Sequence, residues 1–173
     1  MGAILGREVK SYFTSVTGYV FIAFIMLFVG VYCWIINLQA GYPYFEYVLS
    51  NMSFIYLIAV PILTMRVISE ERRQKTDQLL YALPMSMTKI VLGKYLAMIL
   101  VLVIPTAIMS FYPLILTSFG DVYLGMTYGV IIAFFLMGAA LISLGLFVSS
   151  MTENQVVALV LGFVFLLVNY LIS

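Results

Sequence analysis

Ser69-Glu-Glu-Arg-Arg-Gln-Lys-Thr-Asp-Gln-Leu-Leu-Tyr-Ala-Leu-Pro84 places three acids (Glu70, Glu71, Asp77) and three bases (Arg72, Arg73, Lys75) between two long apolar runs. Lys and Arg beside membrane spans stay on the cytoplasmic side, so this segment orients whatever runs flank it. The other basic residues agree. Arg7 and Lys10 precede the first apolar run, while Arg66, Lys89 and Lys94 bracket the quoted segment. Residues 37–50 and 117–123 hold no Lys or Arg. With the N-terminus in the cytoplasm, all 8 basic residues lie at or near the cytoplasmic face; the inverted topology would put all 8 outside.

Composition makes the runs membrane spans. Of 173 residues, 65% are hydrophobic and 9% charged, whereas a soluble domain carries about 25% charged residues. So few charges cannot coat a water-soluble surface. The net charge of +1 gives no bulk attraction for a nucleic acid, and none is expected as a partner. The lone Cys33 has no disulfide partner in the chain and falls in an apolar run, where it packs as a small hydrophobe. The chain has no histidine, which removes the usual general base and the commonest metal ligand. Its 11 methionines are dispersed, so no metal site is expected. No A-x-A site follows the first apolar run, which reads as a retained helix, not a cleaved signal.

The expected fold is an all-α integral membrane protein, an N-terminal interfacial helix followed by five transmembrane helices. The interfacial helix takes residues 1–17 and the spans 19–37, 52–68, 90–116, 125–149 and 156–172, each near the ~20 residues that cross the hydrocarbon core. Residues 69–89 form the cytoplasmic loop. Leu5, Val9, Tyr12, Phe13 and Val16 share one face of the first helix and Arg7, Lys10, Ser11 and Thr14 the other, so its apolar side is expected to face lipid. Gly18 offers a bend into the first span. Pro61, Pro105 and Pro113 each remove a backbone donor and should kink their spans, and 90–116 is long enough to tilt, bend or protrude. In the fourth span Gly125, Gly129 and Ala133 share one face, and Gly138, Gly145 and Ser149 another. Small residues let helices approach closely in lipid, either inside the subunit or between two copies. Trp34, Tyr42, Tyr44, Tyr47, Tyr112, Tyr123, Tyr128 and Tyr170 gather where the outer interface should be.

Within the charged segment Thr76 is a good N-cap and Asp77 suits the first turn of a helix. That helix carries Leu79, Leu80 and Leu83 on one side, and Pro84 helps end it. Ser86 caps the next helix, with Lys89 and Lys94 expected to snorkel to the headgroups. A short amphipathic helix on such a loop can lie on the membrane or dock its leucines in a groove of a soluble partner. Physics leaves these two open. Arg66 can snorkel or pair with Glu70.

Three stretches carry a family resemblance. They are Thr64-Met-Arg-Val-Ile-Ser-Glu-Glu-Arg-Arg-Gln-Lys-Thr76, then Leu79-Leu80-x-x-Leu83-Pro84-Met-Ser86, then Ile90-Val-Leu-Gly-Lys94. With Arg7-Glu-x-Lys10-x-Tyr-Phe13 and Gly145-Leu-Phe-Val-Ser-Ser-Met-Thr-Glu-Asn-Gln155, they resemble the permease subunits of type-2 ABC exporters, and look closest to the gliding-motility subfamily. The resemblance implies an interfacial elbow helix at the N-terminus and a coupling helix after the second span, seated in a cleft of a separate ATPase. Glu70, Glu71, Arg72 and Arg73 would be the charged approach and Thr76–Leu83, with Asp77, Leu79, Leu80 and Leu83, the docked helix. Thr152, Glu153, Asn154 and Gln155 would make a second, smaller cytoplasmic contact. The implied partners are an ABC ATPase, a second permease copy or paralogue, and the lipid bilayer; the implied location is the inner (plasma) membrane. Arg72, Arg73 and Lys75 can equally bind anionic lipid.

The chain has no G-x-x-x-x-G-K-[ST] stretch, since Gly93-Lys94 is followed by Tyr95. It therefore has no P-loop, no cofactor of its own is expected, and ATP with Mg would belong to the partner. No Ser/His/Asp or Cys/His set exists, so the chain is not expected to be an enzyme. The span centres hold no Asp, Glu, Lys or Arg, which opposes an ion-coupled carrier. The alternative is a non-ATP membrane scaffold or small carrier whose basic loop binds lipid. Such permeases generally have six spans with both ends cytoplasmic, whereas Ser173 ends the fifth run; a fragment lacking the sixth span is expected.

Overall fold

A computed structural model describes residues 2–65, 87–152 and 154–172 of the chain. The described residues are helical almost throughout. In chain order they form α1 (Gly2–Thr14), α2 (Val16–Cys33), α3 (Phe45–Thr64), α4 (Met87–Met109), α5 (Tyr112–Leu116), α6 (Leu124–Ser149) and α7 (Gln155–Ile172). A π-helical turn, Trp34–Gln39, extends α2. Four helical stretches are long and apolar enough to cross a membrane: Val16–Gln39, Phe45–Thr64, Thr88–Leu116 and Leu124–Ser149. Helix α7 is 18 residues long and apolar over Gln155–Val168. The fold is thus all-α and multi-pass, with four of the five expected runs among the candidate spans.

Much of the described surface is apolar. Leu27, Ile132, Leu136, Phe147 and Val164 point outward, a surface that lipid solvates and water does not. The central element is α3, which packs on α2, α6 and α7. In its apolar window 61% of residues are buried, against 22–33% in the other three spans. It is also the helix that carries Glu46, Asn51, Ser53 and Thr64. An enclosed helix can keep such residues because neighbouring helices supply their partners. It begins at Phe45, upstream of the expected onset at Met52, because Glu46 and Asn51 make its first turns look like loop.

Several local devices differ from the sequence expectation. The junction of α1 and α2 is at Ser15, whose backbone is extended (φ −90°, ψ 156°), not at Gly18. Gly18 lies inside α2, and a Cβ there would stand 2.7 Å from the carbonyl oxygen of Tyr12. Glycine serves close approach here, not a bend. The face of α1 that carries Val9 and Tyr12 packs on α4 instead of facing lipid; of the five residues named for that apolar face, Val16 is strongly exposed. The long third run is two helices, interrupted at Ser110–Phe111. Pro113 cannot donate to the carbonyl of Met109, so the helix restarts with proline in its first turn, where the missing N–H costs nothing. Within the break, the carbonyl of Ser110 accepts the Tyr128 hydroxyl at 3.1 Å. The turn after α2 closes through Gly41 in the left-handed region (φ 70°) and through Asn37 Nδ2, which donates to the carbonyl of Tyr42 at 2.7 Å.

Candidate functional site

The described basic residues Arg7, Lys10, Lys89 and Lys94 all belong to α1 and the start of α4, which pack on each other. This is the basic end of the bundle. Residues 66–86 leave from Met65, the residue that caps α3, and return at Met87, the first residue of α4. The candidate coupling residues Glu70, Glu71, Arg72, Arg73, Thr76, Asp77, Leu79, Leu80 and Leu83, and Arg66 with its suggested partner Glu70, lie outside the described residues. The structure instead supplies the two anchorages of that segment.

The first anchorage is α3, which is bound to α6 at three heights. Next to the basic end, Thr64 donates to the carbonyl of Val60 at 3.0 Å, and its side chain fills the notch left by Gly145. A Cβ on Gly145 would lie 2.6 Å from Thr64 Oγ1. Midway, Tyr56 stacks on Phe134 with ring centroids 4.2 Å apart and covers Gly138, where a Cβ would lie 3.0 Å from its ring. At the far end the Thr127 hydroxyl donates to Glu46 Oε1. Glu46 is in the first turn of α3 and Thr127 in that of α6, so two helix N-termini converge on one carboxylate, where their dipoles favour negative charge. Sequence reasoning missed this pairing. Its partners are 81 residues apart, and no periodicity within either helix points to the other.

The second anchorage is α4. Lys94 does not snorkel: its side chain is 3% exposed and pairs with Glu8 of α1 at 3.4 Å. Arg7 pairs with the same carboxylate oxygen at 3.0 Å from the exposed side. The available signal was Glu8 itself, an acid on the same helical stripe as Leu5 and Tyr12.

The remaining site residues sort by role. Thr152 and Asn154 fold the turn between α6 and α7. Thr152 Oγ1 accepts the Asn154 N–H at 3.2 Å, and Asn154 Oδ1 accepts the Val156 N–H at 3.0 Å, which makes Asn154 the N-cap of α7. Gln155 follows in the first turn, and Glu153 lies outside the described residues. Of the four glycines of α6, Gly138 and Gly145 are packing sites within the chain. Nothing described lies within 4 Å of a Cβ on Gly125 or Gly129. Among the described residues no group of three or more His, Cys, Asp or Glu could hold a metal ion.

The described part of the chain is a helical bundle in which the charged segment runs between two separately anchored helices, α3 and α4. The model of a family described as ABC-2 family transporter protein matches residues 36–173. The match begins inside the π-helical turn, takes in everything after it, and leaves out α1 and α2. No curated protein and no solved structure matches the chain.

Proposed function

The chain belongs to the ABC-2 transporter family, and on that premise we propose that it is the membrane permease subunit of an ATP-driven exporter, working with an ATPase on a separate polypeptide. Permease components of this family are transmembrane and lack a nucleotide-binding site, and the absence of a P-loop from this sequence agrees. The family as a whole works with ABC ATPases. The match is to the ABC-2 family at large and does not extend to a gliding-motility subfamily.

The observation that carries the proposal is how residues 66–86 are anchored. They continue from the end of α3, the most enclosed helix, which Thr64, Tyr56 and Glu46 bind to α6 along its length. In this reading Glu70–Arg73 approach the ATPase and Thr76–Leu83 docks in its cleft, with Thr152–Gln155 as a smaller contact. Closure of the ATPase on ATP moves the docked helix, and α3 carries the displacement to α6. Close-packed helices transmit such a stroke because their interiors compress little. The cargo path then opens between this subunit and a second permease copy or paralogue in the plasma membrane, with the N-terminus in the cytoplasm and α7 as a fifth span.

Co-purification with the cognate ATPase tests this. Association should fall about tenfold or more on reversing Glu71 and Arg72, and on Leu79→Asp with Leu80→Asp, since apolar anchors dominate a helix-in-groove interface. Undiminished association after the double leucine change would sink the reading. Loop binding to vesicles of anionic lipid, with no ATPase retained, would favour the scaffold alternative.

A further inference from the structure

Glu8 and Lys94 lie 86 residues apart in sequence and meet inside the bundle. A lysine near the end of a span ordinarily runs its stem along apolar surface and leaves its ammonium in the headgroups. Lys94 is buried instead, with Glu8 Oε1 as a partner at 3.4 Å and Arg7 Nη2 on that same oxygen at 3.0 Å. Such a pair is a poor source of stability, since replacing both partners by apolar residues of similar size is often neutral or stabilising. What it supplies is placement. Val9 and Tyr12 pack on this side of α1 as well, but apolar contact is non-directional. One translation and one rotation of α1 along α4 bring carboxylate and ammonium together.

We propose that Glu8 and Lys94 form a clasp that positions the start of α4, and that binding of the partner ATPase depends on it. Lys94 is about two turns into α4, so fixing it against α1 fixes Met87, where the chain returns from residues 66–86. Glu8 and Lys94 are positioning residues: they act through the placement of that segment and need not touch the partner. Part of the partner site is therefore set by α1, which the family match does not reach. The proposal rests on the functional reading above.

The test uses the full chain co-expressed with its ATPase and compares Glu8→Gln, Lys94→Gln, the exchange Glu8→Lys with Lys94→Glu, and the apolar pair Glu8→Leu with Lys94→Leu. The apolar pair should melt within a few degrees of the parent yet retain about tenfold less ATPase, and the exchange should stay within about threefold of the parent. A stable apolar pair that holds the ATPase as well as the parent overturns the proposal, as does an exchange no better than the single changes. Should the apolar pair fail to fold, the exchange against the two Gln variants decides. A spin label at the exposed Ser11, in a Cys33→Ala background, reads the clasp without the ATPase. It should be less mobile in the parent and the exchange than in Glu8→Gln; a label equally mobile in all of them also overturns the clasp. If Leu79→Asp with Leu80→Asp leaves association intact, the functional reading has failed, and the label still judges the clasp.

Discussion

Glu46 shows how much one side chain contributes in a bundle this apolar. Its carboxylate accepts the Thr127 hydroxyl between the first turns of α3 and α6, and Thr127 is fully buried. Removing the Thr127 hydroxyl strands Glu46 Oε1, at the penalty of an unpaired buried polar atom, about 1–3 kcal/mol, whereas without Glu46 the hydroxyl still has the Tyr123 carbonyl at 3.2 Å. Thr127→Val is therefore expected to lower the melting temperature in detergent by several degrees, while Thr127→Ser, which keeps the hydroxyl, stays near the parent. Equal losses from Val and Ser would place the cost in packing and not in the hydrogen bond. Neither partner identifies the other in the sequence, since Glu46 reads as part of a polar loop and Thr127 as an unremarkable residue at the head of a span.

The glycines of α6 separate at the scale of the element. Gly138 and Gly145 face α3, and Gly145 meets a Thr64 side chain already committed to the Val60 carbonyl. Gly145→Ala should cost about 1–3 kcal/mol by overpacking. Gly138→Ala should cost less, because the Leu102 and Tyr56 side chains it meets at 3.0 Å can give by a few tenths of an ångström. Gly125→Ala and Gly129→Ala should be neutral or raise stability by up to about 1 kcal/mol, since alanine is the better helix former and the space is open. Thermal melting of the four variants checks the order; a loss at Gly129 as large as at Gly145 would mean that a second molecule covers that face. The 3.6-residue spacing sorted these small residues into two faces, but which face meets α3 depends on the rotation of α6 about its own axis. The third run shows the same division. Proline marked it as a place where a helix cannot continue, and the break falls at Ser110–Phe111, where Tyr128 of another helix bonds the Ser110 carbonyl.

For the whole molecule, the expected arrangement makes a topology prediction. Reporters that distinguish the two sides of the membrane should read cytoplasmic at the N-terminus and opposite at Asp121, because Lys and Arg stay inside. A reporter at Ser173 should match Asp121 if α7 crosses. Agreement of Ser173 with the N-terminus would leave α7 uncrossed, and agreement of Asp121 with the N-terminus would overturn the charge argument itself. Membrane residence, helical class and the spans' approximate positions were legible in the sequence because lipid imposes them. A chain crossing hydrocarbon must satisfy its backbone locally and present apolar side chains outward, so length, hydropathy and charge carry that information residue by residue. Lipid imposes no such local rule on which helix sits in the middle, or on which buried polar groups meet. The central position of α3, the notch of Gly145 over Thr64, the Glu46–Thr127 bond and the burial of Lys94 against Glu8 each depend on two segments far apart in sequence. Their energy is contact energy between helices, which exists only once the bundle has assembled.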